Sequence, residues 1–272
     1  MQSPGGTQGL TPVCIENQTF RDNVITAKPS TTAPNRYAQA SASFADKLLA
    51  SQQALQSAAA QYTPLVQASS LGAEDLVISH LIETLELAIP AFMLDTGTLP
   101  PETLALLERL QSRAVVPIRV VRPDAAAVLG FERAHGKEAM YQSINLRKTC
   151  CRIRKMEPLR QALQGQRAWV TGLRQEQSDT RAEVALIDTS EVDHGGLVKV
   201  NPLAHWTWGD VWHYIALHAL DYNPLHDAFF PSIGCAPCTR AISDGEDFRA
   251  GRWWWESENA KECGLHVKEL TQ

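Results

Sequence analysis

The sequence predicts an α/β protein in which helices flank a mostly parallel sheet. From residue 64 to residue 172, short apolar runs alternate with stretches that repeat apolar residues at helical spacing. Such alternation is typical of strand–helix–strand units, whose strands run parallel. The chain has 272 residues, of which 44% are hydrophobic and 20% charged, and this composition is that of a globular protein with a buried core.

The predicted elements follow in order along the chain. An Ala-rich stretch from Tyr37 to Gln61 predicts one or two helices. After it, the patterns predict strands at 64–68, 91–94, 115–121 and 168–172, and helices at 74–87, 101–110 and 208–218. Pro117 lies inside the third strand, which indicates an edge strand or a bulge because proline donates no ladder hydrogen bond. A sheet of this kind binds its ligands beyond the carboxyl ends of its strands.

Composition limits the partners and the location of the protein. The formal charge is −5, so we expect no general nucleic-acid binding, and any affinity for anions must be local. No apolar run reaches the roughly 20 residues needed to cross a bilayer, so we expect no membrane segment. Residues 1–35 hold four charged side chains and no secretory pattern, which predicts a disordered leader and a cytoplasmic protein with reduced thiols. A homo-oligomer is compatible with this composition.

Four of the six cysteines form two close pairs, Cys150–Cys151 and Cys235–Cys238, whereas Cys263 lies alone near the C-terminus. Four thiolates favour a soft metal centre. A zinc site or a vicinal disulfide would also use such pairs, but adjacent ligands are unusual for zinc and a disulfide is unusual in a reducing compartment. Cys263 has Lys261 and His266 as neighbours in the sequence, which suits a nucleophile.

Two loops and three groups of cations are candidate anion sites. The loop Ser69–Asp75 lies between a strand and a helix and could present backbone amides to a phosphate, although a simple turn fits it equally. The loop Leu94–Gly97 ends the next strand and is either a ribose contact or a helix cap. The cations are Arg147, Lys148, Arg152, Arg154 and Lys155 around the first cysteine pair, then Arg174 with Arg181, and Arg249 with Arg252. The first group could equally form a solvated face, while arginine suits phosphate and sulfate in the others.

Seven motifs together resemble one family. They are Gly-Ala-Glu-Asp at 72–75, Leu-Asp-Thr-Gly at 94–97, Cys-Cys-Arg-Ile-Arg-Lys at 150–155, Thr-Gly-Leu-Arg-Gln-Glu-Gln-Ser at 171–178, Ile-Gly-Cys-Ala-Pro-Cys-Thr-Arg at 233–240, Gly-Arg-Trp-Trp-Trp-Glu at 251–256 and Lys-Glu-Cys-Gly-Leu-His at 261–266. From about residue 37 to residue 272, the sequence resembles the assimilatory adenylyl-sulfate reductases. These are thioredoxin-dependent enzymes of the adenine nucleotide alpha-hydrolase-like (PP-loop) superfamily.

This resemblance implies an activity. Adenosine 5′-phosphosulfate would be reduced to sulfite and AMP, with thioredoxin as electron donor and a Cys263 thiosulfonate as intermediate, in sulfate assimilation and cysteine biosynthesis. The resemblance also implies the PP-loop fold and a [4Fe-4S] cluster on Cys150, Cys151, Cys235 and Cys238. By it, residues 36–250 form the nucleotide-binding reductase domain, and residues 251–272 form a mobile catalytic segment.

The residues and the resemblance together assign roles. The catalytic candidates are Cys263, His266, Lys155, Arg249 and Arg252. The candidates for substrate contact are Ser69, Ser70, Gly72, Glu74, Asp75, Leu94, Asp95, Thr96, Arg154, Gly172 and Arg181. The first loop departs from the Ser-Gly-Gly-Lys-Asp-Ser of ATP-using relatives because it has no lysine, which disfavours an ATP-using sulfur-transfer enzyme. The same motifs are compatible with a 3′-phosphoadenylyl-sulfate reductase. The two cysteine pairs are also compatible with a protein whose metal site is purely structural.

Overall fold

The computed structural model describes residues 32–113, 117–178, 181–190, 192 and 196–256. The predicted leader lies outside these residues except for its last four positions. There the structure differs from the prediction, because a helix begins at Ala33, whose side chain is fully buried. The backbone amide of Ala33 donates to the Asp227 carboxylate at 2.6 Å, which ties this segment to the rest of the chain. The predicted catalytic segment is described only as far as Glu256.

The described strands form one six-stranded sheet that is mostly parallel, as predicted. They are β1 Leu65–Ser69, β2 Ala91–Leu94, β3 Arg119–Val121, β4 Ala168–Val170, β5 Ile187–Asp188 and β6 Val198–Val200. Their order is β3-β2-β1-β4-β6-β5, and only β5 is antiparallel to its neighbour. The strand predicted at 115–121 is an edge strand, because β3 lies at one end of the sheet, but it begins at Arg119 and so excludes Pro117, which the sequence pattern places inside it.

Eight α-helices lie among the described residues. They are α1 Ala33–Tyr37, α2 Phe44–Gln61, α3 Ala73–Thr84, α4 Pro101–Gln111, α5 Ala125–His135, α6 Ile144–Cys151, α7 Glu157–Leu163 and α8 Trp208–Leu217. A π-helical turn, Arg152–Met156, joins α6 to α7. The helix α3 ends three residues earlier than predicted because Glu86 adopts φ +52° and the amide of Leu87 returns to the Ile82 carbonyl. No helix among these residues is long and apolar enough to cross a membrane.

The alternation of side chains along the strands divides the core into two layers. Leu65 and Val170 pack on one face of the sheet with apolar residues of α2, α3 and α8. Val66 and Trp169 point to the opposite face and pack with Leu159 of α7. Helices therefore cover both faces of the sheet, and its carboxyl edge is left to the loops that form the site.

Candidate active site

A cleft of about 250 Å³ opens at the carboxyl ends of β1, β2 and β4. Its walls are the segments that follow these strands, namely Ser69–Gly72, Leu94–Thr96 and Thr171–Leu173, closed by residues 231–234 and 248–253. The predicted position of the ligand site is thus where the cleft lies. Most of the predicted site residues line it: Ser69, Ser70, Gly72, Glu74, Asp75, Leu94, Thr96, Lys155, Gly172, Arg181, Arg249 and Arg252.

The loop after β1 is held by the first turn of α3. The amide and hydroxyl of Ser70 donate to Oδ2 of Asp75 at 2.6 and 2.7 Å. The amides of Leu71 and Gly72 donate to the hydroxyls of Ser69 and Ser70. These three amides have acceptors within the loop, as in a simple turn, which is one of the two interpretations that the sequence leaves open. Burial raises the pKa of Asp75 to about 6, against the opposing effect of the Ser70 hydrogen bonds.

A network of acid, amide and arginine forms the wall beside this loop. Oε1 of Glu74 accepts from Nε of Arg174 at 2.9 Å and from Nε2 of Gln177 at 3.0 Å. Gln177 also donates to the Gly172 carbonyl and accepts from Arg181, so its amide fixes three parts of the wall. Sequence reasoning found Glu74, Gly172 and Arg181 but not Gln177, because glutamine has no charge or metal affinity that would mark it.

Gly172 allows a close approach between the segment after β4 and the first turn of α3. A Cβ at this position would lie 2.6 Å from Oδ1 of Asp75 and 3.0 Å from the Cβ of Glu74. Any side chain would therefore push against the carboxylate that holds the first loop. A sequence motif identified the glycine, and this contact gives the physical reason for it.

Cations form the opposite wall of the cleft. Lys155, Arg249 and Arg252 line it, and the Trp253 ring centre lies 4.8 Å from the Arg252 guanidinium and 5.9 Å from that of Arg249. Nη1 of Arg252 donates to the Ser232 hydroxyl at 3.2 Å, while its Nε has no hydrogen-bond partner among the described residues. An arginine of which only 7% is exposed, beside an open cleft, is suited to an anionic ligand.

A second, smaller cavity contains the four paired cysteines. It is lined by Cys150, Cys151, Cys235 and Cys238 with Thr98, Met140, Arg147, Arg154, Lys155 and Pro237. The π-helical turn carries Arg154 and Lys155 into this region directly after the first cysteine pair, and such turns are frequent at functional sites. Lys155 lines both the cysteine cavity and the cleft, so one cation faces both places.

The pKa values of the cysteines in this cavity are shifted in different directions. Burial raises the pKa of Cys150, and burial together with Cys235 and Cys151 raises the pKa of Cys238 to about 12. Burial also acts to raise the pKa of Cys235, but Lys155 and the hydroxyls of Thr96 and Thr98 outweigh it, so the net pKa is lowered. Sγ of Cys235 lies 3.3 Å from Oγ1 of Thr96, a residue that also lines the cleft.

The donor set of this cavity fits an iron–sulfur cluster. All four cysteines are buried free thiols. In the part of the chain that the structure describes, no group of three or more His, Cys, Asp or Glu side chains could hold a single metal ion. A [4Fe-4S] cluster differs from a single ion because each thiolate binds a different iron, so its ligands surround a volume instead of converging on a point. Four thiols around one cavity, with cations beside them, satisfy this requirement.

Two predicted site residues, Asp95 and Arg154, lie outside the lining of the cleft, and two others are not among the described residues. Oδ2 of Asp95 pairs with Nε of Arg122 at 3.0 Å, so this carboxylate is turned toward a cation outside the cleft. Arg154 lies in the cysteine cavity and donates to the Thr96 carbonyl at 2.7 Å and to Glu132 at 2.6 Å. Cys263 and His266 are outside the described residues.

The fold and the cleft define an α/β protein with a mostly parallel sheet and a ligand cleft at the carboxyl edge of that sheet. Residues 64–241, more than half of the chain, match the family described as the phosphoadenosine phosphosulfate reductase domain. The chain belongs to this family.

Curated relatives and solved structures agree with this assignment. The chain is 50% identical over 206 residues to the adenosine 5′-phosphosulfate reductase of Allochromatium vinosum, and the aligned part covers 76% of this chain and 80% of that protein. It is 51% identical over 205 residues to the enzyme of the same name from Neisseria meningitidis serogroup B, covering 73% and 80% respectively.

Among solved structures, the phosphoadenylyl-sulfate reductase of Candida auris superposes with a TM-score of 0.59 at 24% identity, covering 73% of this chain and 97% of that one. The FMN adenylyltransferase of Candida glabrata superposes with a TM-score of 0.53 at 13% identity, covering 89% and 82%. At these identities, the two structures support the fold alone.

Proposed function

We propose that the protein reduces adenosine 5′-phosphosulfate to sulfite and AMP. One observation carries the proposal: Lys155 lines both the nucleotide-sized cleft and the cavity of four cysteines, and Arg249 and Arg252 line the same cleft. A phosphosulfate bears two negative charges, and a thiolate that attacks it adds a third, so clustered cations lower the cost of bringing them together. The two relatives described above carry the name of this activity.

The first step is a substitution at sulfur. The Cys263 thiolate attacks the sulfate sulfur, a bond forms between the two sulfur atoms, and the bond from sulfur to the bridging oxygen breaks. The electron pair of the broken bond leaves on the phosphate oxygen of AMP, and Cys263 then carries a thiosulfonate. Lys155, Arg249 and Arg252 stabilise the negative charge that develops, and we assign His266 to the same charge stabilisation, with Arg181 supporting it. AMP is a good leaving group, so this step requires charge stabilisation more than a general acid.

The second step uses a dithiol protein of the thioredoxin class. One of its thiolates attacks the Cys263 sulfur, and sulfite leaves with the electron pair of the sulfur–sulfur bond. The second thiol then displaces Cys263 from the mixed disulfide, so the donor is oxidised to a disulfide and has supplied two electrons. A dithiol donor and four free thiols both need a reducing compartment, and we therefore assign the protein to the cytoplasm.

We further propose that Cys150, Cys151, Cys235 and Cys238 hold a [4Fe-4S] cluster. When bound, it would supply a fixed charge distribution beside the cleft. Arg154 and Lys155 balance the negative charge of the thiolates, and Thr96, which contacts Cys235, connects the cysteine cavity to the cleft. Anaerobically purified protein should therefore be brown and contain about four irons with matching sulfide.

Incubation with sulfur-labelled adenosine 5′-phosphosulfate, without a reductant, tests the activity. We expect one label for each protein molecule, located at Cys263 by mass spectrometry and released as sulfite when reduced thioredoxin is added. The control, Cys263→Ser, should keep its iron and its affinity for AMP but take up no label, because a serine hydroxyl is far less ionised than a thiol. Label on another cysteine, or none at all, would contradict the mechanism.

A further inference from the structure

Glu256, the last described residue, forms a buried ion pair with Arg147. Nε and Nη2 of Arg147 donate to Oε1 and Oε2 of Glu256 at 2.9 and 2.6 Å. The two side chains are 0% and 2% exposed. A bidentate pair fixes orientation as well as distance, and each member of a buried pair needs the other to offset its loss of hydration. The backbone at residue 256 is therefore held at one place on α6.

Arg147 also belongs to the cysteine cavity. It lies one helical turn before Cys151 on α6, within hydrogen-bonding reach of that thiol, and it lines the cavity. Its guanidinium lies 4.8 Å from the ring centre of Trp253. The same ring contacts Arg249 and Arg252, which line the cleft. One buried arginine thus touches the cysteine cavity, the tryptophan behind the cationic wall and the carboxylate of Glu256.

The position of Glu256 limits the position of Cys263. Cys263 follows Glu256 by seven positions, and an extended chain spans at most about 3.3–3.6 Å per residue, so the chain between them can span at most roughly 25 Å. On the basis of the function proposed above, we propose that Arg147 and Glu256 are positioning residues. Their ion pair anchors the start of the catalytic segment beside the cysteine cavity, so that the reach of Cys263 includes the cleft.

The test separates this anchoring from substrate binding and from cluster retention. Glu256→Gln keeps the shape of the side chain and removes its charge. Glu157→Gln is the matched control, because Glu157 forms an exposed ion pair with Arg152 at the start of the neighbouring helix α7. Both variants are compared with the wild-type holoprotein for thiosulfonate formation on Cys263 in a single turnover, AMP affinity, iron content and the rate of tryptic cleavage after Lys261 under native conditions.

We expect Glu256→Gln to slow thiosulfonate formation by about tenfold or more, because a hydrogen-bonded charge pair is lost. Tryptic cleavage should become faster by about fivefold, since a local opening equilibrium sets that rate. AMP affinity should stay within about twofold and the iron content should not change, because Glu256 itself lines neither the cleft nor the cysteine cavity. Glu157→Gln should match the wild type in all four measurements.

Wild-type rates of both thiosulfonate formation and cleavage in Glu256→Gln would overturn the proposal. If the wild type itself forms no thiosulfonate, the proposed function fails, and the cleavage rates still test the anchor. If Glu256→Gln loses iron or does not fold, Arg147→Lys replaces it, since lysine keeps the positive charge beside Cys151 but cannot make the bidentate pair. The same two rates should then change in the same directions by smaller factors, and wild-type rates would again overturn the proposal.

Discussion

Gly172→Ala should weaken both folding and nucleotide binding. A Cβ at residue 172 would lie 2.6 Å from Oδ1 of Asp75 and 3.0 Å from the Cβ of Glu74, both well inside contact distance. Neither neighbour is free to retreat. The other oxygen of the Asp75 carboxylate accepts two hydrogen bonds from Ser70, and Glu74 accepts a 2.9 Å hydrogen bond from Arg174.

The magnitude follows from the two ways in which the structure can respond. Overpacking a rigid site costs about 1–3 kcal/mol, and loss of a hydrogen bond to a carboxylate costs about 1.5–3 kcal/mol. The protein will follow the cheaper route, so we expect the free energy of unfolding to fall by about 2 kcal/mol. At about 2–4 °C per kcal/mol for a chain of this size, the Tm should drop by roughly 4–8 °C. Because Asp75 holds the Ser69–Gly72 loop, AMP affinity should fall by about tenfold, equivalent to about 1.4 kcal/mol.

Chemical and thermal unfolding measure the first effect, and calorimetric titration with AMP measures the second. Gly130→Ala in α5 is the matched control, since nothing lies within 4 Å of a Cβ placed there. This control should gain about 0.5–1 kcal/mol of stability from its helical position and leave AMP binding unchanged. Wild-type stability and AMP affinity in Gly172→Ala would refute the argument, because they would mean that the Asp75 carboxylate moves at no cost.

Three further predictions concern charge, ligands and substrate choice. The raised pKa of Asp75, about 6 against an ordinary 3.8, means that the folded state holds this proton more tightly, so the contribution of Asp75 to stability should fall as pH rises from about 4 to about 6. Across that range, the unfolding free energy of the wild type should fall by about 3 kcal/mol relative to that of Asp75→Asn, which has no group to titrate at this position. A constant difference between the two proteins would contradict the raised pKa of Asp75. Replacement of Cys150, Cys151, Cys235 or Cys238 by Ser should remove colour, iron and activity together, and an active preparation that contains only zinc would disprove the cluster. Initial rates with one thioredoxin should show a higher kcat/KM for adenosine 5′-phosphosulfate than for its 3′-phosphorylated form, because the two cations that contact the loop after β2 already pair with acids, Arg122 with Asp95 and Arg154 with Glu132. An equal or higher value for the 3′-phosphorylated form would mean that one of these cations exchanges its partner for the phosphate.

Local patterns in the sequence predict the elements that position the cleft. The strands predicted at 64–68 and 91–94 and the helix predicted at 208–218 correspond to β1, β2 and α8, with bounds that differ by at most one residue. The sequence analysis predicts no strand at β5 or β6. Only two residues form β5, too few for a period to be recognised, whereas β6 is as long as β3 and β4, which are predicted from apolar runs longer than the strands themselves. The sequence leaves a simple turn and an anion-binding loop open for Ser69–Gly72, because the acceptors of its amides, two hydroxyls and the Asp75 carboxylate, are identified only by the folded loop.

Ion pairs between residues that are distant in the sequence could not be predicted from local patterns. Glu74 meets Arg174 across 100 residues, and Arg147 meets Glu256 across 109. With 25 basic and 30 acidic side chains in the chain, composition leaves hundreds of such pairs open, and only the folded backbone selects among them. The sequence therefore predicts the kinds of residue in the site, but the tertiary structure determines their partners.

The segment from Cys150 to Lys155 shows how sequence order and spatial order combine in the site. Within these six positions, Cys150 and Cys151 line the cysteine cavity, and the Arg154 guanidinium donates a hydrogen bond to the loop after β2. The Lys155 ammonium group belongs to a side chain that lines both the cysteine cavity and the cleft. In a regular α-helix, side chains point in the same direction every three to four residues. Here the amide of Glu157 donates to the carbonyl of Arg152, five residues back, so the turn is wider. The wider turn changes the direction in which Arg154 and Lys155 leave the helix axis. Because one rigid helical segment holds the thiols and Lys155 together, a shift of the cysteines would move Lys155 relative to the cleft. The cysteine cavity and the cleft are thus coupled through the position of one cation, Lys155.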